Sequence, residues 1–313
     1  MLPQINPMML GGALTVDQVF KNQNLSTPAT FTLPFAPSLI IDKSISYSDS
    51  ARWRTSESLN FLTSSATTGA SAAYAGNTVN GSNRTFDTYT AGTQGTTSVW
   101  SFAKAGNFYD SFTYIGDGST IKTLSHNLRG YPGLIIVKRL DSTSNWTVWQ
   151  QSFSTNSYLS LNTTDIISTN ASNAINSVTN TQFTIGSLFN ISGASYIVML
   201  FGHQTSSGGF IRTGTYVGTG TSGNMVELGW EPQWIVIKSL SNTGLNWTVF
   251  DNLRVGNSTL PSRNSAITLN TAGAQATNIG TIAFTSTGFS PQSGSINLTN
   301  GTYIYLVIRK GLS

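Results

Sequence analysis

"PGLIIVK" occupies residues 132–138, "PQWIVIK" residues 232–238 and "PSLIIDK" residues 37–43. Proline has no N–H to give a ladder, so each run is expected to begin a strand at its proline. The residues that follow are apolar without alternation. A strand with one wet face alternates apolar and polar residues. An unbroken apolar run reads instead as a strand covered on both faces, or one that crosses between sheets. Lys43, Lys138 and Lys238 close the three runs. They are expected where the strands meet solvent, with their stems along apolar surface. A binding row of three lysines is the alternative.

The repeat extends beyond the heptad. "YIGDG" (114–118) matches "YVGTG" (216–220), "NWTVW" (145–149) matches "NWTVF" (246–250), and "SYIVML" (195–200) matches "TYIYLV" (302–307). "YLSLNTT" (158–164) pairs more loosely with "AITLNTA" (266–272). The offset drifts from 100 to 108 residues, and only across polar stretches where loops accept insertions. A worn first copy holds "RWRT" (52–55) at the NWTV position and "SVWSFAK" (98–104) near its end. A period near 100 residues is an array of domains rather than a solenoid of small units. Modules are therefore expected over 30–110, 111–205 and 206–313, after an extended arm over 1–29.

Each module reads as β. Short β-branched and aromatic runs alternate with Gly, Asn, Ser and Pro clusters. The longest helical candidate, residues 15–20, is one or two turns. The expected fold is all-β, with tandem sandwiches of jelly-roll or lectin type. Gly116, Gly118, Gly218 and Gly220 are expected to form tight turns. A phosphate cradle would need a following helix, and none is predicted.

Composition narrows the function. Charged residues make up 9% of the chain, against about 25% in a typical domain. The net charge of +4 comes from 16 cations and 12 acids, and no basic cluster exceeds two residues. Nucleic-acid binding is therefore not expected. Cysteine is absent, which removes disulfides and thiolate metal sites. No apolar run is long enough to insert in a membrane as a helix. "MLPQINPMMLGG" (1–12) has neither a cationic segment nor a long apolar core, so export by a signal peptide is not expected. Met8, Met9 and Leu10 make this stretch a candidate docking arm, since an apolar tail suits a partner surface better than water.

No catalytic or metal-ligating constellation emerges, and no cofactor is expected. His126 and His203 fall at different places in the repeat, and neither lies beside a nucleophile motif. Glu231 and Asp117 are the candidate carboxylates for a glycan depolymerase, but nothing in the repeat converges on them. Tyr131, Trp230 and Trp234 lie near turns, and Tyr109 does too. The first three are candidate contacts for a glycan or a subunit. Trp146 and Trp247 recur inside the repeat and are expected in the core.

The junction "WSFAKAGNFYDSFTYIGDGS" (100–119) is the most specific stretch. Together with Pro132–Lys138 and Trp146–Trp149 it resembles a recurring module of tailed-phage structural proteins, including those of cyanobacterial and marine phages. The resemblance spans about residues 30–310. It implies a virion component, either a tail fibre or baseplate appendage or a capsid decoration. It further implies other virion proteins as partners and a homo-oligomer, with a trimer as the first candidate. The second reading is an adhesin for a host-surface glycan.

Overall fold

The computed structural model describes residues 14–26, 29–70, 83–86, 95–154, 156–169, 174–256 and 259–311. Met8, Met9 and Leu10 lie outside them. The chain is all-β, as expected, with only short 3-10 turns among the described residues.

Three five-stranded antiparallel sheets share one topology. In space the first runs Phe20–Ser26, Thr96–Phe102, Leu39–Ser44, Arg52–Thr55, Ser58–Thr63. The second runs Tyr109–Ile115, Ser195–Gly202, Pro132–Arg139, Thr147–Gln150, Leu159–Ser160. The third runs Ile211–Val217, Thr302–Arg309, Pro232–Ser239, Thr248–Asp251, Ile267–Thr268. Phe20–Ser26 is thus the outer strand of the first sheet, paired with Thr96–Phe102 along its length. The expected arm is corrected here: the first module begins by residue 20, because that strand supplies the edge which Tyr109–Ile115 and Ile211–Val217 supply in the other two.

The heptads lie at the sheet centres, and their two faces go to two different cores. Leu134 and Ile136 point inward, with Leu39, Ile41, Trp234 and Val236, into one core shared by all three sheets. Ile135 and Val137 point outward, onto a small second sheet built from Ile121–Ser125, Gln182–Gly186 and Ile175–Asn176. Ile235 and Ile237 do the same in the third module. This is why the runs do not alternate. The second and third modules are thus sandwiches, and the five-stranded sheets of all three modules pack inner face to inner face.

The first module departs in its outer layer. Its counterpart of Val137 is Asp42 and its counterpart of Trp149 is Arg54, and these two form a buried ion pair. Ala29–Thr32 and Asn83–Phe86 pair as a separate two-stranded sheet. Trp53 also falls elsewhere than the RWRT alignment placed it. Register puts Trp53 at the position of Val148, and Ala51 at that of Trp146 and Trp247. The Ser64, Leu161 and Leu269 amides donate to the Ala51, Trp146 and Trp247 carbonyls, which fixes the equivalence.

Candidate functional site

The repeated residues form clamps between modules. Lys43, Lys138 and Lys238 share side-chain parity with the inward residues of their strands, so they end up beneath a neighbouring module rather than in water. All three are fully buried, at 0% exposure, which corrects their expected place at a solvent boundary. Lys138 Nζ donates to the Ser144 carbonyl of its own module and to the Thr67 carbonyl of the first, both at 2.8 Å. Lys238 donates to Leu245 at 2.9 Å and to Thr164 of the second module at 3.2 Å. Lys43 donates to Asp49 at 2.7 Å and to Thr271 of the third module at 2.6 Å. The third module thereby returns to the first and closes a ring.

Backbone and tryptophan contacts repeat the same cycle. The amides of Ala70, Ile167 and Gln275 donate to the carbonyls of Leu140, Leu240 and Ile45, each across a module boundary. Trp146 Nε1–H reaches the Ala66 carbonyl at 3.1 Å, and Trp247 Nε1–H reaches the Ser160 carbonyl at 3.0 Å. Where the first module has Ala51, the Ser64 hydroxyl donates to the Leu269 carbonyl instead. Asn162 and Asn270, the asparagines of the two "LNT" stretches, accept from the amides of Trp146 and Trp247 and hold the tryptophans in place.

Burial pushes all three lysine ammonium groups down to about 8. Asp49 opposes this at Lys43 and Asp165 at Lys238, while Arg139 adds to it at Lys138. Two charge-assisted bonds contribute about 3–6 kcal/mol. Taking an ammonium out of water costs several kcal/mol. The terms nearly offset. The lysines therefore set which carbonyls meet, and hence how the modules are placed, more than they add net stability.

The candidate contact residues do not share one fate. Trp230 and Trp234 are each 2% exposed, so neither offers a stacking face, and this corrects their expected role. Trp234 lies on the shared core among Phe20, Trp100 and Phe102. Trp230 lies in the third sandwich with Arg212 over its ring. Tyr109 is buried as well, against Phe102 and Phe201. Tyr131 is 40% exposed, beside Trp149. Trp146 and Trp247 are core residues, as expected.

The titratable candidates are held individually. Burial lowers the affinity of His126 for a proton, and its Nδ1 accepts from the Leu128 amide while Nε2 faces the Thr179 carbonyl. Burial and then Arg212 lower that of His203, whose Nδ1 accepts from the Thr213 amide and faces Gln151 Nε2 at 2.7 Å. Glu231 pairs with Lys310 at 3.0 Å. Asp117, one module away, pairs with Lys122 at 2.6 Å and also accepts from Ser119 and Asn190. Its carboxyl is held well below the usual carboxylate range by these bonds, Lys122 first. No group of three His, Asp or Glu side chains that could hold a metal occurs among the described residues.

One cavity opens where the second sandwich is uncapped. It encloses about 290 Å³. Val137, Thr147 and Tyr196 of the five-stranded sheet form its floor, and Leu188, Phe189 and Ile191 form one wall. Arg139, Tyr158 and the loop Thr143–Asn145 form the other side. The Tyr196 ring is braced from behind by Tyr114, stacked at 5.0 Å and 8°. Sequence reading passed over these residues. The signal was present in the differences between copies: Arg139 aligns with Ser239, and Tyr158 with Ala266.

A family model described as a domain of unknown function, DUF7483, matches residues 42–310, most of the chain. The chain belongs to that family. The match begins within strand Leu39–Ser44 of the first sheet and ends just after strand Thr302–Arg309 of the third. No curated protein matches the chain.

Proposed function

We propose that this protein is a structural component of a tailed-phage virion, an appendage or decoration that displays a rigid three-module body and attaches through its N-terminal segment. The observation that carries this reading is the closed cycle of clamps. The residues that recur from module to module, the lysines and the clamp asparagines and tryptophans, hold the modules to one another and build no reactive centre. A particle component needs such mechanical unity. The resemblance of Trp100–Ser119 to phage structural modules supports the same reading. In the structure that stretch turns the chain from the first sheet into the second. Lys104 bonds the Ser111 carbonyl and pairs with Glu57, and Asp110 accepts from the Asn127 amide.

Cryo-electron microscopy of phage particles from the source of this chain tests the proposal. Density for the three-module body on capsid or tail is expected, in contact with other virion proteins. Purified particles that lack the chain by mass spectrometry would refute it. Attachment through the N-terminal segment has its own test: a chain without residues 1–13 should fold and fail to join the particle. The proposal also includes self-association on the particle, which the copy number per particle reads directly.

A further inference from the structure

The three modules allow the chain to be compared with itself. Positions that maintain the fold repeat, whether as floor or as clamp. The floor of the module-two cavity does so: Val137, Thr147 and Tyr196 correspond to Ile237, Thr248 and Tyr303. Its rim does not. Arg139 stands where the third module has Ser239, and Tyr158 where it has Ala266, each Tyr158 and Ala266 sitting in the same isolated bridge. Leu188 stands one residue before Phe189, and in the third module Ser295 stands one residue before Ile296. Folding alone therefore leaves the rim residues free, since Ser239, Ala266 and Ser295 serve in the same frame.

The rim also has a definite chemistry. Arg139 donates through Nε to Asp141 at 2.7 Å, so its charge is compensated, and among the described residues its terminal N–H groups carry no further bond. Asn145, which lines the rim, accepts through Oδ1 from Asn162 at 2.9 Å, so what it has left to offer a ligand is its amide N–H₂. Leu188 and Ile191 stay 48% and 46% exposed at the mouth. A compensated pair, an amide, hydroxyls and a braced apolar floor together suit a ligand that is polar at its edge, apolar on a face and uncharged. A cavity of this size lies at the small end for ligand pockets, room for one ring rather than a chain of them.

We propose that the module-two cavity lined by Arg139, Tyr158, Leu188 and Tyr196 is a binding site for a single neutral hexose unit. This goes beyond the virion reading and does not depend on it. The site belongs to the second module alone, and Tyr131, at the opposite end of strand Pro132–Arg139, is no part of it.

Saturation-transfer NMR on the full chain tests the site, with methyl glucoside, methyl galactoside, methyl mannoside and glucuronate as probes. Binding of at least one neutral glycoside in the millimolar range is expected. The variant R139S/Y158A gives the second module the residues of the third, so it should keep its thermal transition. It should weaken binding at least fivefold, while Tyr131→Ala leaves binding unchanged. Absence of transfer from every probe at about 20 mM ligand, well above a Kd in the low millimolar range, would overturn the proposal. So would transfer from glucuronate alone, or binding that R139S/Y158A leaves intact. Each result is independent of where the protein sits on a particle.

Discussion

Lys138 shows at the scale of one residue how a misleading local pattern arises. A lysine after four apolar residues ordinarily marks the end of burial. Parity puts it on the inward face, and the loop at Thr67 from the preceding module then covers it. Nothing within the heptad reveals that loop. What the sequence did contain was the recurrence of lysine at the same place three times, which a merely solvated residue would not require. The pH dependence of stability follows from these groups. Burial depresses their folded-state pKa to about 8, against about 10.4 in an unfolded chain. Between those values the unfolded state binds more protons, so stability rises with pH. The buried tyrosines act in the opposite sense: burial raises Tyr109, Tyr114 and Tyr216, and their contribution is lost only above pH 10. Urea melts should therefore show stability increasing from pH 8 to about 9.5. In the triple variant K43M/K138M/K238M that slope should disappear. A slope that persists would mean that other groups carry it. Lys138→Met alone should cost about 1–3 kcal/mol at pH 7, because the Ser144 carbonyl loses a donor in a dry site.

At the scale of the element, the Tyr–X–Gly–X–Gly stretches show how much was legible and where reading stopped. Tight turns at Gly116–Gly118 and Gly218–Gly220 were expected from the glycines, but the structure bonds their amides to distant carbonyls instead: Gly116 to Ala194, Gly118 to Asn190, Gly218 to Gly301 and Gly220 to Asn297. The two glycines of each pair work differently, however. Gly118 and Gly220 have φ of 78° and 75°, the left-handed region. Gly116 and Gly218 instead lie against the backbone at Ile191 and Leu298, where any Cβ would collide. The partner of each stretch lies far along the chain: Asn190 Oδ1 accepts from the Asp117 amide, and Asn297 Oδ1 from the Thr219 amide. Spacing within the stretch holds no trace of an asparagine more than 70 residues away. Gly118→Ala should cost about 1 kcal/mol, as strain that a local relaxation absorbs. Gly116→Ala should cost more, since the opposing atoms are backbone and have nowhere to go. Thermal melts of the two variants give the order directly, and an equal loss in both would contradict the distinct roles. The same limit explains Trp53. Sequence alignment matched its tryptophan to Trp146, whereas pairing with Ile41 places it two positions on, and only strand register carries that information.

At the scale of the whole molecule, three β modules were legible as repeats, but their fusion into one body was not. Long apolar runs announce burial on both faces without naming what covers the second. Here the cover is the other two modules. A module cut out over residues 111–205 would expose Leu134, Ile136, Trp146, Val148, Met199 and Phe201 on one face, far beyond what a soluble surface tolerates. It should therefore aggregate or remain unfolded, and a soluble, folded fragment would show that the shared core is dispensable. The ring leads to a stronger prediction. Gly311, after the last strand, lies against Asp17, just before the first. The passage from the third sheet to the first thus has the same form as the two passages made by continuous chain, across Ala103–Phe108 and His203–Phe210. A permutant that joins Gly311 to Thr15 through two added residues, and opens between Thr205 and Ser206, keeps all three clamps. It should unfold in one cooperative transition within about 2 kcal/mol of the parent, since the short loop it closes costs little entropy. Two separate transitions, or loss of folding, would mean that the third module closes on the first less firmly than the other boundaries do. The three equivalent contacts Ala70–Leu140, Ile167–Leu240 and Gln275–Ile45 would then not be equivalent in energy.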